Sequence, residues 1–292
     1  MYASLLYDVN PQHFTVIADR ERRKRYSASG VLVNGRRYDF PFRDPSDQDA
    51  PADLLLVAVK QHHLDATLDE IESSIGPGTT ILSLLNGVTS EEIIGARYGM
   101  DRLLYSFCVG TDATREGCSV RFAKVGTIVF GERTNELHSD RVEATARLFD
   151  RARIPYAIPN DMIRELWWKF MMNVGINPLS AILRAPYGVF QRSGEARSLF
   201  AAAGREAVAM ARAEGIDLAD EEIDRCFEVL GTLSPDGKTS MFQAVEAGRK
   251  TEIELFAGTV VELGRKHGIA TPVNEMLLGM IRVIEQTGSP AT

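Results

Sequence analysis

Apolar residues come in short blocks along the first half of the chain and in long, spaced stripes along the second. Residues 54–59 (LLLVAV) and 80–85 (TILSLL) are continuous apolar runs, the pattern of strands buried on both faces. A shorter run at 14–18 is followed by a charged stretch at 19–25. Residues 64–75 have helical spacing, and strands alternating with helices predict a parallel α/β sheet. Segments 30–42 and 118–130 alternate more loosely around turn residues and predict antiparallel ribbons. From about Asp161 the spacing becomes helical and amphipathic, at 165–182, 195–214, 220–233, 250–267 and 273–287. Gly215 and Gly268 stand where two of these helices would stop, and Pro272 where the last would start. The expected domains are an α/β domain over 1–160 and an all-helical one over 161–292.

The front of the chain departs from the usual order of a nucleotide-binding α/β domain, which is strand, glycine-rich turn, helix. Residues 2–7 read as the end of a helix, Pro11 as a turn and 14–18 as the next strand, and no GxGxxG occurs in the sequence. The expectation is a parallel sheet without its central first strand. Each N–H or C=O left buried and unpaired at the two resulting edges costs about 1–3 kcal/mol. The helix N-terminus that would hold a pyrophosphate is missing too. A truncated start accounts for this; the alternative is a rearranged sheet that no longer binds nucleotide.

Composition narrows the function classes. At 292 residues the chain exceeds what one core usually serves, so two domains are expected. A net charge of -7 argues against nucleic-acid binding, which needs a basic face. Three scattered cysteines (Cys108, Cys118, Cys226) and five histidines show no metal-ligand spacing, and they read as buried thiols in a reducing compartment. No apolar run reaches the roughly 20 residues of a membrane helix, and the N-terminus has no positive flank for a signal peptide. A cytoplasmic protein is expected.

The candidate chemistry centres on 165–182. Lys169, Asn173 and Asn177 are four apart and share one helix stripe, flanked by Trp167, Trp168, Phe170, Met171 and Ile176. The stripe is either functional or a solvated lysine with two helix-weakening asparagines. Ser240 opens a Ser-x-x-Gln capping-box pattern, compatible with a second, ligand-facing role. Asn86 and Lys60 each end an apolar run, where open α/β sheets bind ligands, although Asn86-Gly87 also favours a tight turn. Glu252, in a TEIE run, reads by itself as a helix-surface glutamate.

The segment ELWWKFMMNVGINPLSAI resembles the signature of ketopantoate reductases, with Leu-Trp-x-Lys, an Asn four residues on and Asn-Pro-Leu four further. VAVK ending at Lys60, LLNG around Asn86, and SMFQ with KTEI resemble further family segments in order and spacing. The resemblance implies a Rossmann-like sheet domain followed by a helical substrate and dimerisation domain. It implies NADPH-dependent reduction of 2-dehydropantoate to pantoate, a step of pantothenate biosynthesis. Lys169 becomes the proton donor, with Glu252 contacting cofactor or orienting the lysine. Arg20, Lys60, Asn86 and Ala113 become cofactor contacts, Arg20 reading a 2′-phosphate where Asp19 would instead favour NADH. Asn86, Asn173, Asn177 and Ser240 become substrate contacts, the site lying in a cleft between the domains. Tyr187 stands where the family has an Asn that helps bind substrate. The implied partners are a small 2-oxo acid and a second copy of the chain, with neither nucleic acid nor membrane. The rival reading is a non-catalytic small-acid-binding or interaction protein, derived from a reductase that lost its nucleotide loop.

Overall fold

The structure, a computed structural model, describes residues 1–47 and 50–288. The chain forms two compact units: Met1–Leu85 with Thr89–Met162, and Asn86–Val88 with the chain from Ile163 on.

The first unit is built on a five-stranded sheet of β5 (Leu54–Val57), β6 (Thr80–Ser83), β7 (Leu103–Val109), β10 (Thr127–Gly131) and β11 (Tyr156–Ala157), in the order β11-β10-β7-β6-β5. β5, β6 and β7 run parallel, β10 is antiparallel to β7, and β11 is parallel to β10. On one face, Leu64, Leu68 and Ile71 of α3 (Leu64–Ile71) and Ile94 of α4 (Ser90–Tyr98) bury Leu55, Val57 and Ile81. On the other, Leu5 and Leu6 of α1 (Tyr2–Val9) and Val142 and Phe149 of α5 (Asp140–Ala152) cover Leu82, Leu104 and Phe130. This is a helix–sheet–helix sandwich of the Rossmann-like type.

Two smaller sheets complete the unit. β1 (Val16–Ile17) and β4 (Phe42–Arg43) form a parallel pair, and β2 (Val31–Val33), β3 (Arg36–Tyr38), β8 (Thr114–Glu116) and β9 (Ser119–Arg121) form a sheet in the order β3-β2-β9-β8. Asp19 caps α2 (Arg20–Ser29), its carboxylate accepting from Arg22 N at 2.7 Å.

Several expectations need correction. The runs at 14–18, 54–59 and 80–85 shorten to β1, β5 and β6, because an apolar run marks burial and not only strand. β5 ends the sheet and alternates in burial, with Leu54 and Leu56 only partly covered. Segment 118–130 is not one ribbon: β9 pairs with β8, whereas β10 joins the main sheet beside β7. Of the three thiols only Cys226 is buried.

At the end of β6 a buried polar cluster closes the base of the segment 84–89. Ser83 Oγ lies 2.8 Å from Ser90 Oγ, Ser90 Oγ donates to Glu91 at 2.8 Å, and Ser106 Oγ donates to the Ser83 carbonyl at 2.7 Å. β7 outruns β6, and the Glu91 carboxyl takes up the Ser106 backbone N–H beyond the last β6 rung. Glu91 is 2% exposed, and burial pushes its carboxyl up to about 7.

The second unit is helical, with α6 (Met162–Ile182), α7 (Tyr187–Arg192), α8 (Gly194–Ala213), α9 (Glu222–Gly231), α10 (Ser240–Glu246), α11 (Thr259–His267) and α12 (Pro272–Gly288). From Leu166 to Ala181 every residue of α6 except Lys169 is buried, so it is a core helix and not the amphipathic one its sequence suggests. Pro178 has no N–H to return to the Val174 carbonyl, so one rung is missing beside Asn177. Buried Ala203, Gly204, Ala207 and Ala211 keep α8 slim on its core side. The Glu206 carboxylate caps α12 through the amides of Val273 and Asn274, both at 2.9 Å.

Segment 250–267 is not one helix. Thr251 is held outside by Glu285, which accepts from its N–H at 2.7 Å and its hydroxyl at 2.6 Å. A π-helical turn at Glu254–Gly258 follows before α11 begins. Gly215 and Gly268 take positive φ after α8 and α11, as helix stops do. No described helix is long and apolar enough to cross a membrane.

Candidate active site

Five polar side chains of the second unit form one directional chain of hydrogen bonds. Ser240 Oγ donates to Asn177 Oδ1 at 3.3 Å, and Asn177 Nδ2 donates to Asn173 Oδ1 at 3.3 Å. Asn173 Nδ2 donates to Asn86 Oδ1 at 3.5 Å, and Asn86 Nδ2 donates to Glu252 Oε2 at 3.3 Å. Each amide uses one donor and one acceptor in the row, leaving capacity for a further partner. The contacts are long for their type, so the row holds its groups in place without saturating them.

Local structure explains each placement. Asn173 and Asn177 are successive residues of one α6 stripe, each 5% exposed, and Lys169 precedes them by one turn. Asn86 is fixed by its neighbour: Gly87 has φ +93°, and a Cβ there would lie 2.6 Å from Leu255 Cδ1. Glu252 sits between two anchors, Thr251 on Glu285 and Ile253 in the core at 1% exposed. Glu254 pairs instead with Arg282 at 2.7 and 2.8 Å, which holds its carboxyl below the usual range.

The capping reading of Ser240 is overturned. Thr239 is the N-cap of α10, its hydroxyl accepting from Phe242 N at 3.1 Å, and Ser240 is the first helical residue. The register is one residue earlier than the Ser-x-x-Gln pattern suggests, and the Ser240 hydroxyl turns to Asn177.

The charge of Lys169 is felt on α9. Burial pushes the Cys226 thiol up to about 12, against the opposing pull of the Lys169 and Arg225 charges. Cys226 therefore stays a neutral thiol beside the lysine, a neighbour no sequence pattern pointed to. Arg225 holds both oxygens of Glu165, at 2.9 and 2.7 Å, and its guanidinium lies 4.0 Å from the Trp168 ring centroid. Glu165, one turn before Lys169, thereby joins α6 to α9.

The remaining candidates lie on separate elements of the first unit. Arg20 is the first residue of α2 and exposed, Lys60 is exposed three residues after β5, and Ala113 is half-buried between β7 and β8. Asp19, the alternative to Arg20, has its carboxylate on the Arg22 amide and guanidinium. Among the described residues no cluster of His, Cys, Asp and Glu could hold a metal ion.

The chain matches two family models: Ketopantoate reductase PanE/ApbA over residues 1–135 and Ketopantoate reductase PanE/ApbA C terminal over residues 161–285. It is 30% identical over 245 residues to the 2-dehydropantoate 2-reductase of Vibrio cholerae, covering 82% of this chain and 80% of that protein. A solved 2-dehydropantoate 2-reductase from Geobacter metallireducens is 27% identical, with a TM-score of 0.82 over 98% of this chain and 95% of that one. The ternary structure of D-mandelate dehydrogenase with NADH and anilino(oxo)acetate has the same fold, with a TM-score of 0.86 at 22% identity over 98% and 95% of the two chains. The chain belongs to the ketopantoate reductase family of oxidoreductases.

Proposed function

We propose that the protein reduces a 2-oxo acid, 2-dehydropantoate first, to the 2-hydroxy acid with NADPH, and that Lys169 is its proton donor. The observation that carries this reading is the polar row from Ser240 to Glu252, with a lysine one turn along the same helix. A 2-oxo acid offers a carboxylate, a ketone oxygen and, in ketopantoate, a hydroxyl, and the row offers a hydroxyl and three carboxamides.

The exposed cations Arg20 and Lys60, each just past the C-terminal end of a strand, have the donor chemistry for cofactor phosphates, and the Ala113 backbone is a further proposed contact. The engagement of Asp19 with Arg22 favours Arg20 and a 2′-phosphate over a free ribose hydroxyl, hence NADPH over NADH. When bound, a reduced nicotinamide supplies the hydride for the ketone carbon.

The chain's own residues do the rest. Ser240 turns its single hydroxyl proton from Asn177 to the substrate carboxylate, and Asn173, Asn177 and Asn86 hold the other oxygens. Lys169 Nζ stabilises the charge developing on the ketone oxygen and gives it a proton, leaving a secondary alcohol and a neutral amine. Glu252, accepting from Asn86, keeps that carboxamide in one orientation.

The Rossmann-like unit is proposed to hold the cofactor and the helical unit the substrate. A second copy of the chain is the proposed macromolecular partner. Met276, Met280 and Val283 form one stripe along α12 and are 50%, 43% and 57% exposed.

The test follows NADPH fluorescence with and without ketopantoate. Binding of NADPH, then its consumption when ketopantoate is added, is the expected result. A protein that binds the acid and leaves NADPH unbound would be a small-acid-binding relative and not a reductase.

A further inference from the structure

Glu165 and Lys169 are one turn apart on α6, with the carboxylate on the N-terminal side. That is the favoured order and spacing for an ion pair along a helix. Helical side chains also lean toward the N-terminus, so a lysine at 169 is directed over the turn that carries Glu165. The polar row lies the other way, one and two turns on, at Asn173 and Asn177. A Glu165 carboxylate with an open oxygen is therefore a competitor that draws the ammonium away from the row.

α9 removes that competitor. Arg225 Nη1 and Nη2 donate to the two Glu165 oxygens at 2.9 and 2.7 Å, a bidentate fork that occupies both. The guanidinium is fixed in turn by the Trp168 ring, whose centroid is 4.0 Å away, and Trp168 Nε1 donates to the Glu222 carbonyl at 3.3 Å. Glu222, the second carboxylate of the cluster, pairs with Arg164 and lies 3.5 Å from Arg225. Arg164 itself reaches Glu165 only at 3.5 Å. Two carboxylates thus face two guanidiniums, and the Glu165 side chain, 14% exposed, has little water to screen its charge.

We propose that Arg225 is a positioning residue for Lys169: by holding both oxygens of Glu165 it keeps that carboxylate from capturing the ammonium, so that the lysine serves the polar row. This rests on Lys169 being the proton donor of a 2-oxo acid reductase.

The test compares kcat and KM for 2-dehydropantoate, at saturating NADPH, in wild type, Arg225→Met and the double variant Glu165→Gln/Arg225→Met. Methionine keeps an unbranched stem on Trp168 and removes the guanidinium. Arg225→Met is expected to lower kcat by about tenfold or more, a part of the 10²–10⁴-fold that a positioned general acid supplies, with KM changed by about threefold or less. Adding Glu165→Gln takes away the competing charge and should bring kcat back to within about threefold of wild type. A double variant as slow as Arg225→Met shows that Arg225 acts only by packing α9 on α6 and overturns the proposal, as does an Arg225→Met with unchanged kcat. If Arg225→Met fails to fold because Glu165 is left buried and unpaired, Arg225→Lys takes its place, keeping the charge and giving up the bidentate hold. There too, rescue of kcat by Glu165→Gln supports the proposal and its absence overturns it. A wild type that reduces no 2-oxo acid overturns the reading beneath the proposal, and the proposal with it.

Discussion

Lys169 is the residue on which the proposed chemistry turns, and its test separates chemistry from binding. Lys169→Ala is expected to lower kcat by about 10²–10⁴-fold, the usual contribution of a positioned general acid, while NADPH affinity by fluorescence titration changes little. A variant that loses cofactor affinity and keeps kcat would remove Lys169 from the proton-donor role. Glu91 gives a second prediction. Its folded value of about 7 lies above the ordinary glutamate value of 4.5, so the folded state holds the proton more tightly than the unfolded state. The stability this proton gives is complete below about 4.5 and is lost as pH rises through about 7. Glu91→Gln keeps the group neutral and should flatten the fall in melting temperature between those pH values. The effect is worth roughly 1–3 kcal/mol at neutral pH, and an unchanged pH slope would show that Glu91 is already ionised in the fold.

Among the elements, α10 divides two duties between adjacent residues. Thr239→Ala should cost about 1 kcal/mol of stability by removing the cap. Ser240→Ala should leave the melting temperature nearly unchanged and raise KM for the oxo acid. A stability loss at Ser240 equal to that at Thr239 would return it to the role of cap. The same element shows where sequence reading stops. The Lys169–Asn173–Asn177 stripe is legible because steps of four define a helix face with no knowledge of partners. The tie from Asn86 to Glu252 spans 166 residues and depends on Gly87 fitting Leu255, a tertiary fact. The break in 250–267 is equally hidden, since Thr251 leaves the helix for an acceptor on α12. Short helices such as α7 carry too few residues to show a period, so the packing of Tyr187 on Gly237 is invisible from the chain alone. The fold class is legible throughout, because the switch from apolar blocks to helical stripes tracks the change from sheet to helices. The strand ends are not, as Val59 and Leu85 show by lying outside β5 and β6.

For the whole molecule, assembly is the quantity most open to measurement. If the α12 stripe is the contact, Met280→Glu should convert a dimer to a monomer in sedimentation and leave the fold intact; a variant that stays dimeric moves the interface elsewhere. The largest consequence for the molecule comes from α6. It is enclosed from Leu166 to Ala181, and the one residue left partly open is the proposed proton donor. A helix with a free face can drift there without harm, but this one has no such face. Adaptation to a new substrate is therefore channelled away from α6 and into the elements around it. Those elements are where members of such a fold can diverge in what they accept while keeping how they react.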